Sequence, residues 1–127
     1  MIQKLEHIGV MVANMERSIQ FYTEVLQLQL VNRVRLNEQT ELAFLAFPGS
    51  DNIEIELVAN GKTDLPNEGK VNHICFTVTD IEAEVERLKK LDVRLIDEKP
   101  REILDGMKNA FFYGPDDEKL EFLQKKS

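Results

Sequence analysis

The chain has 127 residues, 43% of them hydrophobic and 31% charged, which is the composition of an ordinary globular protein of about one domain. Its formal net charge of −7 argues against nucleic acid as a partner, because a phosphate backbone requires a basic surface. No run approaches the ~18 apolar residues of a membrane span, and the N-terminus lacks the apolar stretch of a signal peptide. The lone Cys75 cannot form a disulfide within the chain, so we expect a cytoplasmic protein.

The first half of the chain predicts one strand, one helix and three further strands. Apolar residues alternate with other residues from His7 to Val12, the period of a half-buried strand. Asn14 then suits a helix N-cap, and a single apolar helical stripe follows, formed by Met15, Ile19, Tyr22 and Leu26. The three strands are Leu30–Arg35, Glu41–Phe47 and, after a turn at Pro48–Asn52, Ile53–Val58.

The second half repeats this order after a linker at Asn60–Lys70, which contains two glycines and a proline. A strand is predicted at Val71–Val78, and Asp80 suits the N-cap of the next helix. The apolar stripe of that helix is Ile81, Val85 and Leu88. The remaining predicted strands are Val93–Ile96, Asn109–Tyr113 and Lys119–Leu123.

An internal duplication accounts for this repeated order. Leu5–Val12 resembles Val71–Val78, and the histidines in the two segments are 66 positions apart. Ile55–Leu57 resembles Leu120–Phe122 at an offset of 65. We therefore predict an α+β fold over residues 1–127 as a single domain, built from two βαβββ modules at about 1–59 and 71–127. Together the modules are expected to form a curved, cup-like sheet around a metal site.

Strand alternation selects four residues as candidate metal ligands. In each of their strands the apolar neighbours are expected to face the helix, so these four side chains project from the opposite face. The four are His7, Glu56, His73 and Glu121. Glu54 shares a face with Glu56 and competes with it, although the repeat favours Glu56. A lone histidine or glutamate in a strand is usually structural or solvent-exposed, but two imidazoles and two carboxylates at matched positions suit a divalent first-row metal.

The sequence resembles the vicinal oxygen chelate superfamily, which includes glyoxalases, bleomycin-resistance proteins and dioxygenases. The resemblance covers essentially the whole chain and is carried by Leu5–Val10, Ser18–Tyr22, Ile55–Leu57, Val71–Phe76 and Gly114–Phe122. It implies that His7, Glu56, His73 and Glu121 are the metal ligands.

Within the superfamily, the chain is most similar to glyoxalase I, or lactoylglutathione lyase. That resemblance implies one nickel, cobalt or zinc ion per site, a homodimer, and a small-molecule substrate formed from methylglyoxal and a low-molecular-weight thiol. It implies Glu121 as the main catalytic base, with Glu56 able to serve on the opposite face, and Asn60 as a thiol-binding residue. Met11 stands where glutathione-using relatives carry arginine, so another thiol is plausible.

Two alternatives remain open from the sequence. Arg94–Arg101 resembles a segment of methylmalonyl-CoA epimerase, although Leu104–Gly106 replaces the Ala-His-Gly that usually follows. The second alternative is a non-catalytic small-molecule-binding protein of the bleomycin-resistance type. The complete set of four metal ligands argues against that alternative, because such relatives typically lack them.

Overall fold

The computed structural model describes residues 1 and 3–126, so Ile2 and Ser127 of the predicted domain 1–127 lie outside the described residues. The chain divides into two compact units, Met1–Leu65 and Pro66–Ser127. The boundary falls inside the predicted linker. Within the described part of the chain, no helix has the length and apolar character needed to cross a membrane.

The first unit is a four-stranded mixed sheet with one helical segment. Its strands are β1 (Ile8–Met11), β2 (Gln29–Arg35), β3 (Glu41–Ala46) and β4 (Ile53–Ala59). Its helical segment is α1 (Met15–Gln20), which continues as a π-helical turn at Phe21–Val25. The strand order is β1-β4-β3-β2, and the first strand lies parallel to the last.

The N-terminus of α1 is capped as the sequence predicts. The Asn14 side-chain oxygen accepts a hydrogen bond from the Arg17 backbone N–H at 3.0 Å. The buried stripe, however, differs from the prediction by one position in two places. Met15 and Tyr22 are buried, but Ile19 and Leu26 are only half-buried, and the buried face is completed by Ser18 and Val25. The prediction chose the larger apolar residue at each place, Ile19 or Leu26, whereas the fold buries the smaller neighbour, Ser18 or Val25.

The second unit repeats this architecture. It contains β5 (Ile74–Thr77), α2 (Ile81–Lys90), β6 (Arg101–Glu102), β7 (Lys108–Tyr113) and β8 (Lys119–Gln124), in the sheet order β5-β8-β7-β6. Asp80 caps α2 by accepting from the Ala83 N–H at 3.2 Å. The predicted stripe of α2 is confirmed, because Ile81, Val85 and Leu88 are all buried.

The prediction of a regular strand at Val93–Ile96 is wrong. Only Leu95 forms a bridge, to Phe112 in β7, and the regular edge strand comes later, at β6. The backbone N–H groups of Ile96 and Asp97 both donate to the Phe111 carbonyl oxygen. The Asp97 carboxylate in turn accepts the Phe111 N–H at 2.8 Å, so a side chain replaces the backbone acceptor that a strand would supply.

The predicted fold class is confirmed as α+β with two βαβββ modules. In each sheet the buried apolar side chains lie on one face, among them Ile55 and Leu57 in β4 and Leu120 and Phe122 in β8. Alternation along a strand directs the intervening residues to the other face. That second face is where the candidate ligands lie.

Candidate metal and catalytic site

The first unit brings His7 and Glu56 together. Parallel pairing of β1 and β4 sets Gly9 beside Glu56, and His7, two residues before Gly9, lies on the same face. His7 Nε2 is 3.8 Å from Glu56 Oε2, and the two side chains are 38% and 19% exposed. Glu54, the competing carboxylate, is exposed. An imidazole and a carboxylate thus lie side by side on one accessible face of the sheet.

The second unit brings His73 and Glu121 together by the same construction. Parallel pairing of β5 and β8 sets Cys75 beside Glu121, and His73 lies two residues before Cys75. Here His73 Nε2 is 2.9 Å from Glu121 Oε1, and the side chains are 33% and 10% exposed. The second pair is therefore both tighter and more buried than the first.

Two neighbours orient the His73 ring. Its Nδ1 is 2.8 Å from the side-chain oxygen of Asn72, and its ring meets Phe111 edge-on with centroids 5.2 Å apart. A neutral imidazole that donates from Nδ1 has its lone pair on Nε2, the atom that faces Glu121. This is the arrangement in which histidines bind metals, with an outer partner fixing the ring.

Asn109 belongs to the candidate site but was not predicted from the sequence. Its side-chain nitrogen donates to Glu121 Oε2 at 3.0 Å, and both residues are buried. Alternation of side chains along β7 could have identified Asn109 from the sequence. Because Ala110 and Phe112 belong to the core, Asn109 and Phe111 lie on the face of Glu121.

Cys75 lies on the ligand face and is exposed, although a free cysteine is more often a small buried residue. Partial burial of the sulfur, with the charge and hydrogen bonding of Glu121, raises the pKa of the Cys75 thiol to about 11. In the metal-free protein the sulfur is consequently a protonated thiol near neutral pH, and a thiolate is the form that binds metals.

Asn60 and Met11 both lie at the C-terminal ends of strands in the first unit. Asn60 follows the end of β4, and its side-chain oxygen accepts the Lys62 N–H at 3.1 Å, which leaves the amide nitrogen for another partner. Met11 is 40% exposed, on the same face of β1 as Gly9 and His7. A role in thiol binding stays a prediction for both.

Each unit therefore joins two of the four predicted ligands. Among residues 1 and 3–126, no three His, Cys, Asp or Glu side chains are arranged to hold a metal ion. The donor chemistry of each pair, one imidazole nitrogen and one carboxylate oxygen, fits half of a site for a divalent transition metal. That the two pairs meet as one four-ligand centre stays a prediction.

Comparison with known proteins gives one consistent family. The profile of the Glyoxalase/Bleomycin resistance protein/Dioxygenase superfamily matches residues 4–122. The Bacillus subtilis protein YwbC is 39% identical over 126 residues, covering 98% of this chain and 100% of its own length. A lactoylglutathione lyase of Neisseria meningitidis is 32% identical over 127 residues, covering 98% of this chain and 92% of its own.

Solved structures agree with the sequence comparison. The trypanothione-dependent glyoxalase I of Leishmania major superimposes with a TM-score of 0.80 at 29% identity, covering 97% of this chain and 87% of its own. Members of this superfamily generally bind a divalent metal, and they include enzymes such as lactoylglutathione lyase. With its two βαβββ modules and a family match over residues 4–122, the chain belongs to the Glyoxalase/Bleomycin resistance protein/Dioxygenase superfamily.

Proposed function

We propose that the chain is a metal-dependent isomerase of the glyoxalase I type. It would convert the hemithioacetal of methylglyoxal and a thiol into a 2-hydroxyacyl thioester. The observation that carries the proposal is the matched pair of His–Glu contacts, at 3.8 Å in the first unit and 2.9 Å in the second. The similarity to lactoylglutathione lyase at 32% identity supports it.

The proposed metal ligands are His7, Glu56, His73 and Glu121, drawn from both units. Two neutral imidazoles and two carboxylates form a donor set that nickel, cobalt and zinc accept. The metal, when bound, would supply Lewis-acid stabilisation for the negative charge that develops on substrate oxygens. The burial of Glu121 supports this assignment, because a carboxylate removed from water requires a compensating partner.

Glu121 is proposed as the base. Its carboxylate would take the proton from the substrate carbon that bears sulfur and return it to the adjacent carbonyl carbon. One C–H bond breaks and one forms, and a hydroxyl proton moves between the two oxygens, so no external oxidant or reductant is needed. Glu121 is the more buried and better hydrogen-bonded of the two site glutamates, so its carboxylate is the better fixed for proton transfer.

The thiol is proposed to be something other than glutathione. Met11 offers no positive charge to pair with a thiol's carboxylate, and it faces the same side of the sheet as His7. The structural relative from Leishmania major is itself trypanothione-dependent, so thiol choice varies within the fold. We place the protein in the reducing cytoplasm, where such thiols accumulate, and assign Asn60 to thiol binding.

Turnover with different thiols tests the function. Metal-free protein is reloaded separately with Ni²⁺, Co²⁺ and Zn²⁺ and given methylglyoxal with glutathione, bacillithiol or coenzyme A. We expect thioester formation that depends on metal and a lower kcat/KM with glutathione than with another thiol. Racemisation of methylmalonyl-CoA without any thioester formation would instead establish the epimerase alternative. No thioester formation with any combination of metal and thiol would contradict the proposed isomerase activity.

Exchange of the two glutamates for glutamine separates the base from the ligand. Glutamine keeps the size and one oxygen ligand but cannot accept a proton near neutral pH. Glu121→Gln should still load with metal at saturating concentration, although with weaker affinity, and should lose roughly 100-fold or more in kcat when fully loaded, while Glu56→Gln should lose less kcat. The matched control is Glu54→Gln, an exposed neighbour on β4 that should behave as wild type. Near-full turnover in Glu121→Gln with a dead Glu56→Gln would reverse the roles.

The oligomer is proposed to be a homodimer with two-fold symmetry. Two βαβββ units are needed to complete the predicted cup, and they can come from one chain or from two. Mixing inactive His7→Ala with inactive His73→Ala distinguishes these arrangements. If sites are shared between subunits, each mixed dimer contains one intact site, and activity should recover to about a quarter of wild type. No recovery in a mixture shown to exchange subunits would exclude sharing, and a monomeric mass would exclude the dimer.

A further inference from the structure

The two oxygens of Glu121 have different partners, His73 just before β5 and Asn109 in β7. Oε1 lies 2.9 Å from His73 Nε2, and Oε2 accepts from Asn109 Nδ2 at 3.0 Å. A carboxylate accepts hydrogen bonds and does not donate, so the amide must present its nitrogen. Asn109 is only 6% exposed, which keeps water from competing for this contact. The plane of the Glu121 carboxylate is thereby fixed from two sides.

The duplicated first unit has no such amide. Phe44 lies beside Glu56 in the first sheet, as Phe111 lies beside Glu121 in the second. Two residues before Phe111 the chain has Asn109, but two residues before Phe44 it has Leu42. Within the described residues, the polar contact of Glu56 is His7 at 3.8 Å. The two carboxylates thus occupy equivalent positions with unequal support.

Folding alone does not account for an amide at this position. The Asn109 side-chain oxygen is buried and, among the described residues, has no hydrogen-bond partner. A buried polar atom without a partner destabilises the fold, whereas an apolar side chain of similar size avoids the loss. Leucine, the residue at the equivalent place in β3, is such a side chain. The hydrogen bond to Glu121 is the gain that offsets the unpaired oxygen.

We infer that Asn109 is a positioning residue, which holds Glu121 with Oε1 directed toward the His73 side and so makes it the better-fixed of the two site carboxylates. The inference rests on the proposed function for its catalytic consequence. Its consequence for metal affinity depends only on Glu121 being a ligand. Asn109 itself need not touch substrate, because it acts through the carboxylate it orients. Outer hydrogen-bond partners of this kind typically contribute on the order of 10- to 100-fold to metal affinity or activity.

Asn109→Leu tests this inference, because it gives β7 the residue that β3 carries. We measure kcat, KM, thermal unfolding and the dissociation constant for Ni²⁺ alone, the last by competition with a chelator. The expected result is a loss on the order of 10-fold in both nickel affinity and kcat, with KM nearly unchanged. The matched control is Gln124→Leu in β8, which removes an amide that accepts the Ile81 N–H at 2.8 Å and belongs to no site contact. It should lose thermal stability and keep nickel affinity.

The results of these measurements distinguish the positioning role of Asn109 from the proposed isomerase function. Wild-type nickel affinity and kcat in folded Asn109→Leu would overturn the positioning role and leave the isomerase intact. A fall in nickel affinity no larger than that of an equally destabilised Gln124→Leu would also overturn it, because the amide would then serve stability alone. If wild type turns over no hemithioacetal but Asn109→Leu still weakens nickel binding selectively, the positioning role stands and the proposed function fails.

Discussion

Parallel pairing between the first and last strand of each unit determines where the site chemistry lies. In the first unit the pairing puts Gly9 beside Glu56, and in the second it puts Cys75 beside Glu121. A histidine two residues upstream then falls on the same face as the glutamate, because strand side chains repeat with a period of two. Shifting β1 or β5 by one residue against its partner would turn the histidine that precedes it toward the helix. The helices, their caps and the apolar cores keep these registers in place.

The two duplicated units are nonetheless unequal, and this inequality supports the proposal that Glu121 is the base. Glu56 is the more exposed carboxylate, at 19% against 10%, and lies farther from its histidine. Glu121 contacts both His73 and Asn109, and Asn72 and Phe111 fix the ring of His73. A preorganised carboxylate of low exposure suits proton transfer. The two units thus contain equivalent His–Glu pairs with different physical properties.

Most of the architecture could be predicted from the sequence, because hydrophobic periodicity and capping residues act locally. Asn14 and Asp80 cap the helices, and Ile81, Val85 and Leu88 form the buried stripe of α2. The failures have non-local causes. The segment at Val93–Ile96 loses regular pairing because the Asp97 side chain takes the Phe111 N–H, a contact across 14 positions.

The candidate site could be predicted only in part. His7, Glu56, His73 and Glu121 emerge from alternation and repetition, which are properties of sequence position. Asn109 has no polar counterpart in the first unit, where the equivalent residue is Leu42. Its proposed role depends on a diagonal contact between β7 and β8. The exposure of Cys75 likewise depends on what covers the sheet, and no local pattern encodes that. Repeats reveal what two modules share, whereas the structure reveals where they differ.

We propose that one metal ion binds all four candidate ligands, His7, Glu56, His73 and Glu121. X-ray absorption spectroscopy on nickel-loaded protein tests it most directly, because scattering from imidazole rings counts the histidines around the metal. We expect two imidazoles per nickel in the wild type, one in either His7→Ala or His73→Ala, and loss of tight nickel binding in the double variant. An unchanged imidazole count in either single variant, or full nickel uptake by the double variant, would contradict the account.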